Sequence, residues 1–278
     1  MTSPYAPLAF PKRVDMTFDE YGAAIGAAAT VLRANATSCA PDAHVPTCPG
    51  WSVDDLVAHV GMVHRWCADT LRGVRSDPAE HEAAGRASAD LLQWFDDGAT
   101  EVLDVLSKTP EDWEGFFFLK NTANARDGWA RRQCHETTIH AVDAMGARLG
   151  RHPKVREVWF SPELALDGID ELLRGFIPRR SSPLRSTEPL TIEIAATDPG
   201  AAAPAVAPAS VWTVAVSDEA PVVSRDAATD PDVRWSAPPR ELYLALWNRG
   251  GDIDVDERTE AGRGSRELWA DLMRVTWS

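Results

Sequence analysis

Apolar stripes of helical period, separated by short polar or proline-rich breaks, run through the first half of the chain. Residues 18–36 are rich in Ala and Leu, and Thr17 stands where an N-cap belongs, so a first helix is expected there. Pro41, Pro46 and Pro49 interrupt the next stretch, which reads as a loop. Ser52 then opens a second helix, with Asp54 and Asp55 in the turn where the helix dipole favours carboxylates. Its apolar line passes through Leu56, His59/Val60, Val63 and Cys67, and it runs to about residue 72. Leu91, Leu92, Phe95, Val102 and Leu106 mark a third helix over residues 83–107. Residues 112–124 read as a loop carrying Phe116, Phe117 and Phe118. A fourth helix covers residues 126–149, and Gly150 suits its C-terminal stop. Four such helices joined by loops predict an up-down four-helix bundle.

The pattern changes in the second half. Residues 162–176 read as a short helix, and the Arg-, Ser- and Pro-rich residues 177–189 as an exposed linker. Residues 190–196 and 211–216 alternate like strands, joined by a Pro/Ala connection at 198–209. Residues 222–225 and 233–235 are shorter strand candidates, 240–249 a helix, 253–256 an edge strand and 265–275 a last helix. The expected fold class is α+β in two domains: a helical bundle over residues 1–155 and a smaller α+β domain over 156–278.

Charge narrows the function. With 28 basic against 42 acidic side chains the net charge is −14, which argues against a nucleic-acid partner and against an anionic membrane surface. No apolar run reaches the ~20 residues of a membrane span. Residues 1–15 place Lys12 and Arg13 after a weak apolar stretch, the wrong order for a secretory leader. Cys39, Cys48, Cys67 and Cys134 form no CxxC and read as reduced thiols of a cytoplasmic protein. Cys134 reads as a small buried hydrophobe. No GxGxxG, P-loop or GxSxG occurs, so a nucleotide cofactor is not expected. A monomer and a homodimer fit equally well.

The fourth helix carries the chemistry. Glu136 and His140 are four residues apart and share one face, with Asp143 three further along it and Arg132 one turn before. His135 and His140 are five apart and point about 140° away from one another, so this is not the zincin HExxH. A third ligand must come from another helix, and His59, on the apolar line of the second, is the best candidate. His59, Glu136 and His140 would form an N2O set with one open position, the form of a catalytic metal site. Asp143 would orient a ligand imidazole. Arg132 would neutralise Glu136 or hold an anionic substrate. Trp51, Trp66 and Trp129 fall near this site as substrate-binding candidates. His64, five after His59, is expected at the surface or rim; His44, His81 and His152, in loops or at helix ends, are given no role.

The segment Cys48-Pro49-Gly50-Trp51-Ser52-Val53-Asp54-Asp55-Leu56-Val57-Ala58-His59-Val60 resembles the first motif of the mycothiol-dependent maleylpyruvate isomerase family. His135-Glu136, followed by His140 and Asp143, resembles its second motif. The resemblance implies a DinB-like bundle whose divalent metal is held by His59, Glu136 and His140. Residues 241–249 look like part of that family's small sterol-carrier-like C-terminal domain. It also implies an actinobacterial type of cytoplasm with mycothiol as thiol cosubstrate. The Pro/Ala connection and the Phe116–Phe118 loop depart from the family pattern and bear on which substrate fits.

The function expected from these readings is a metal-dependent thiol transferase or isomerase acting on a small electrophilic, carboxylate-bearing substrate. Zinc is the first choice of metal, and nickel, iron or manganese suit the same donors. Arg132, Arg131 and Arg249, in falling order, are the candidates to hold substrate carboxylates. The alternatives are a metal-dependent hydrolase and a non-catalytic small-molecule-binding protein.

Overall fold

The structure is a computed structural model and describes residues 16–197 and 206–273. Expectations for residues 1–15, for 198–205 of the Pro/Ala connection and for the last two residues of the 265–275 helix lie outside the described residues. The chain divides into two units between Val158 and Trp159, with Met16 counted with the second. There the Met16 backbone N–H donates to Asp167 Oδ2 at 2.9 Å.

The first unit holds α1 (Phe18–Thr37), α2 (Val53–Leu71), α3 (Pro78–Arg86), α4 (Leu91–Lys108) and α5 (Ala125–Leu149). Both expected starts rest on capping boxes: Thr17 with Glu20 for α1, and Ser52 with Asp55 for α2. Gly150 ends α5 in the left-handed conformation, φ 65°. The four long helices close a ring in which α1 packs on α5 and α4, and α2 on the same two. The single third helix expected over 83–107 is instead two. Pro78 starts α3 behind the Asp77 cap, the chain leaves the helix at Ala87, and Asp90 caps α4 by accepting from the Gln93 N–H.

That break lets Trp94 of α4 wedge between α2 and α3. A Cβ added at Gly61 would collide with the Trp94 ring, and one at Gly85 would lie 2.7 Å from it. Arg65 pins the ring from outside, its guanidinium 3.8 Å from the ring centroid and its Nη2 on the Trp94 carbonyl. Gly61→Ala is therefore expected to destabilise the protein. Overpacking costs about 1–3 kcal/mol and outweighs the ~1 kcal/mol gained in helix propensity. A lower midpoint in urea unfolding checks it.

The second unit runs α6 (Pro162–Asp170), a π-helical turn (Glu171–Phe176), β1 (Leu190–Thr197), β2 (Val206–Val216), β3 (Val222–Ser224), β4 (Val233–Ala237), α7 (Pro239–Leu246), β5 (Asp254–Glu257) and α8 (Ser265–Leu272). The sheet order is β3-β2-β1-β4-β5. Only the β1–β4 pair is parallel; β1–β2, β2–β3 and β4–β5 are antiparallel. β5 lies at the edge with all four residues exposed, as expected for 253–256. β2 starts at Val206, so the strand reaches back into the expected connection. Behind the sheet the buried Asp170 carboxylate accepts from Trp212 Nε1 at 3.0 Å and Arg225 Nε at 2.8 Å, which compensates its charge. No described helix is long and apolar enough to cross a membrane.

Candidate metal centre

Two helices and one loop build the site. On α5, Arg132, Glu136, His140 and Asp143 stack along one face because residues three or four apart return to the same side of a helix. α2 brings His59 against that face. The two helices run antiparallel, since His59 meets Glu136 while Trp66, later on α2, meets Trp129, earlier on α5. Residues 38–52 supply a wall. That segment is tied by backbone bonds from Val45 N–H to the Trp51 carbonyl, from Trp51 N–H to Cys48, and from Cys48 N–H to Val45. These bonds set the Trp51 ring over His140, centroids 5.8 Å apart and planes within 19°, and 4.9 Å from His59.

Glu136 Oε1 is the hub. It lies 3.1 Å from His59 Nε2 and 3.2 Å from His140 Nε2. Its other oxygen takes a bond from Arg132 Nη2 at 3.2 Å. The opposite nitrogen of His140, Nδ1, is 2.8 Å from Asp143 Oδ2. All five side chains are buried; Arg132 and Asp143 have no exposed surface.

Burial opposes the charge on Glu136, but His140, His59 and Arg132 overcome it and hold the carboxyl well below the usual carboxylate range. Burial opposes a proton on His140 too, yet the Glu136 charge and the bonds to Asp143 and Cys48 hold it well above the ordinary imidazole value. Without a metal the centre is thus a buried ion pair, stabilised by neighbours that each supply a compensating charge or bond.

The donors fit a divalent ion. The ligand atoms of His59, Glu136 and His140 lie within 4.8 Å of one another. Bonds of about 2.0–2.1 Å around a tetrahedral zinc put neighbouring ligand atoms about 3.3 Å apart, close to the separations found here. The Nδ1–H···Oδ2 bond to Asp143 leaves the Nε2 lone pair of His140 facing the hub, the arrangement metal-ligating histidines use.

The other expected residues are spread more widely. Trp66 and Trp129 stand edge to face at 5.2 Å, two turns along from the hub, and Phe117 and Phe118 join them at 5.3 and 5.7 Å from Trp129. Trp129 Nε1 donates to the Phe116 carbonyl, so the loop of residues 112–124 closes this end. Arg131 lies about 140° around α5 from Glu136. Its Nη1 donates to the Asn121 carbonyl. Arg249 belongs to the second unit, where its Nη1 donates to the Trp247 carbonyl.

His64 corrects an expectation. It is fully buried rather than at the rim, with Nε2 2.9 Å from Thr137 Oγ1 and its ring against Phe95. α2 packs on α3, α4 and α5 together, so a side chain well off the apolar line still meets protein. Cys48 was given no role, yet its Sγ lies 3.2 Å from Asp143 Oδ2. Its sequence signal is its place at the start of the segment that resembles the first motif, three residues before Trp51.

Residues 23–145 match the mycothiol maleylpyruvate isomerase N-terminal domain, and residues 163–270 match the MDMPI C-terminal domain. The chain belongs to this family. Among curated proteins no match was found. Two crystal structures of a mycothiol-dependent maleylpyruvate isomerase, one of them a His→Ala mutant, superpose with TM-score 0.58 at 13% identity. Each alignment covers 89% of this chain and 96% of the other. The maleylpyruvate isomerase family therefore shares both the helical unit and the α+β unit with this chain.

Proposed function

We propose that this chain is a metal-dependent, thiol-using isomerase, or the corresponding S-transferase, acting on a small electrophilic alkene that carries a carboxylate. The observation that carries this reading is the convergence of His59, Glu136 and His140 on one point beneath Trp51, in a family whose crystallised relative is described as mycothiol-dependent. A divalent metal, zinc by first choice, would be held by those three side chains. It would lower the pKa of a bound thiol so that the nucleophilic thiolate exists at neutral pH.

The chain's own residues supply the rest. Arg132 neutralises one oxygen of Glu136 and leaves Oε1 for the ion. Asp143 holds the Nδ1 proton of His140 and fixes the ring. Trp51 shields both imidazoles on one side. The thiolate adds to the electrophilic carbon of a cis alkene conjugated to a carbonyl. The former double bond is then single and rotates. Elimination restores the double bond in the trans geometry and returns the thiol. In a transferase the adduct takes up a proton instead and leaves as a thioether.

The test is turnover of a cis-configured unsaturated dicarboxylate with and without mycothiol. Activity is expected only with thiol, to vanish on chelation and to return with zinc. Turnover that ignores thiol and consumes water would replace this reading with metal hydrolysis. A protein that takes up no metal would leave a ligand-binding scaffold.

A further inference from the structure

We infer that Cys48 is a positioning residue of the metal centre, holding Asp143 through its thiol so that Asp143 in turn holds His140. The inference rests on the metal-site reading above and extends it one residue outward. Three observations carry it. Cys48 Sγ and His140 Nδ1 meet the same atom, Asp143 Oδ2, at 3.2 and 2.8 Å. Asp143 has no exposed surface, so its carboxylate depends on protein donors for its bonds. The backbone bonds of residues 45–51 lock Cys48 in place in the same short segment that sets Trp51 over His140.

The ligand atoms of Cys48, His140 and Asp143 also lie within 4.8 Å of one another, so this trio could itself be taken for a metal site. The geometry points to a donor instead. An ion there would have to take His140 through Nδ1, breaking the 2.8 Å bond to Asp143. The opposite nitrogen already faces Glu136 Oε1 and His59, a complete set of three ligands. A thiol that donates its proton to a carboxylate is a support for the site, not a ligand in it. Groups that orient a ligand histidine are typically worth 10–100-fold in metal affinity. Cys48 meets both Asp143 and the His140 ring, and about 10-fold, the low end of that range, is expected for it.

Zinc affinity is measured by competition with a chromophoric chelator for the wild-type protein and for Cys48→Ser, Cys48→Ala and Cys48→Val. Serine keeps a donor and should bind within about 3-fold of wild type. Alanine and valine remove it at two different volumes and should both bind about 10-fold more weakly, which separates the lost bond from lost packing. The protein is also loaded with cobalt(II). The wild type should show no thiolate-to-cobalt charge-transfer absorption, and the ligand-field bands should shift in the alanine and valine variants but not in serine. Equal affinity and identical spectra in all four proteins would overturn the inference while leaving the metal site standing. A charge-transfer band lost in Cys48→Ala would overturn it in favour of ligation by sulfur. A wild-type protein that binds neither zinc nor cobalt would overturn the underlying metal reading.

Discussion

His140→Ala is expected to empty the metal centre and abolish thiol-dependent turnover. Both nitrogens of this ring are used: Nε2 faces Glu136 and Nδ1 is held by Asp143. Apparent binding energies of structural zinc sites run to about 10–16 kcal/mol over four ligands, so one imidazole contributes about 3–4 kcal/mol. Its loss corresponds to roughly 10²–10³-fold in affinity. His59→Ala should behave alike, and metal content of the two purified variants beside wild type checks both. Glu136→Gln is the sharper control. It keeps the shape of the side chain but removes the negative charge that meets the fully buried Arg132 at 3.2 Å. Breaking a buried pair in this way costs about 3–5 kcal/mol, so this variant should lose stability as well as metal. His59→Ala should stay folded, because Arg132 and His140 still meet Glu136; His140→Ala also takes a donor from the buried Asp143 and should lose some stability along with the metal. Full metal content in both histidine variants would sink the assignment of the site.

How much of this was legible in the sequence depended on whether the signal was local. The starts of α1 and α2 were readable because Thr17 and Ser52 each sit three residues before the carboxylate that completes the cap. The break between α3 and α4 was missed because an Ala- and Gly-rich run reads as continuous helix, and only the Asp90 cap betrays the restart. Glu136, His140 and Asp143 could be grouped from helical spacing alone. Their meeting with His59, 77 residues away, followed from both helices turning that face inward. Arg131 was offered as a site residue by its neighbourhood in sequence; the helical angle sets it about 140° from Glu136, where its Nη1 donates to the Asn121 carbonyl. Cys48 could not be read, since its approach to Asp143, 95 residues on, depends on how the 38–52 segment folds back. His64 was misplaced because one apolar line was taken as the whole buried surface of α2, which in fact packs against three other helices.

The misplaced histidine carries the second large effect, a loss of stability in mild acid. Burial, with help from the Arg65 charge, pushes the His64 pKa down to about 3, against a weaker upward pull from Glu136. The hydrogen bonds show why a proton is unwelcome. Thr137 Oγ1 donates to the Gln133 carbonyl, so it accepts from His64, which places the ring proton on Nε2. Nδ1 is buried with no partner among the described residues, and a second N–H there would point at no acceptor. In the unfolded chain the same ring titrates near the ordinary imidazole value of 6.5. Between these two values the unfolded state binds the extra proton and the folded state does not. Stability is therefore full above pH 6.5 and falls as the pH drops towards 3, by about 1.4 kcal/mol for each pH unit. From pH 6.5 to 4 the loss attributable to His64 is about 3 kcal/mol. Urea unfolding of wild type and His64→Gln at pH 7, 5.5 and 4 isolates it. Glutamine can still donate to Thr137 but cannot titrate, and the Glu136–His140 pair titrates in both proteins, so it drops out of the difference. The variant should be the less stable protein at pH 7 through lost packing, and the gap should close or reverse by pH 4. Parallel acid limbs in the two proteins would place the acid sensitivity elsewhere, and would mean that the folded protein accommodates a charged His64.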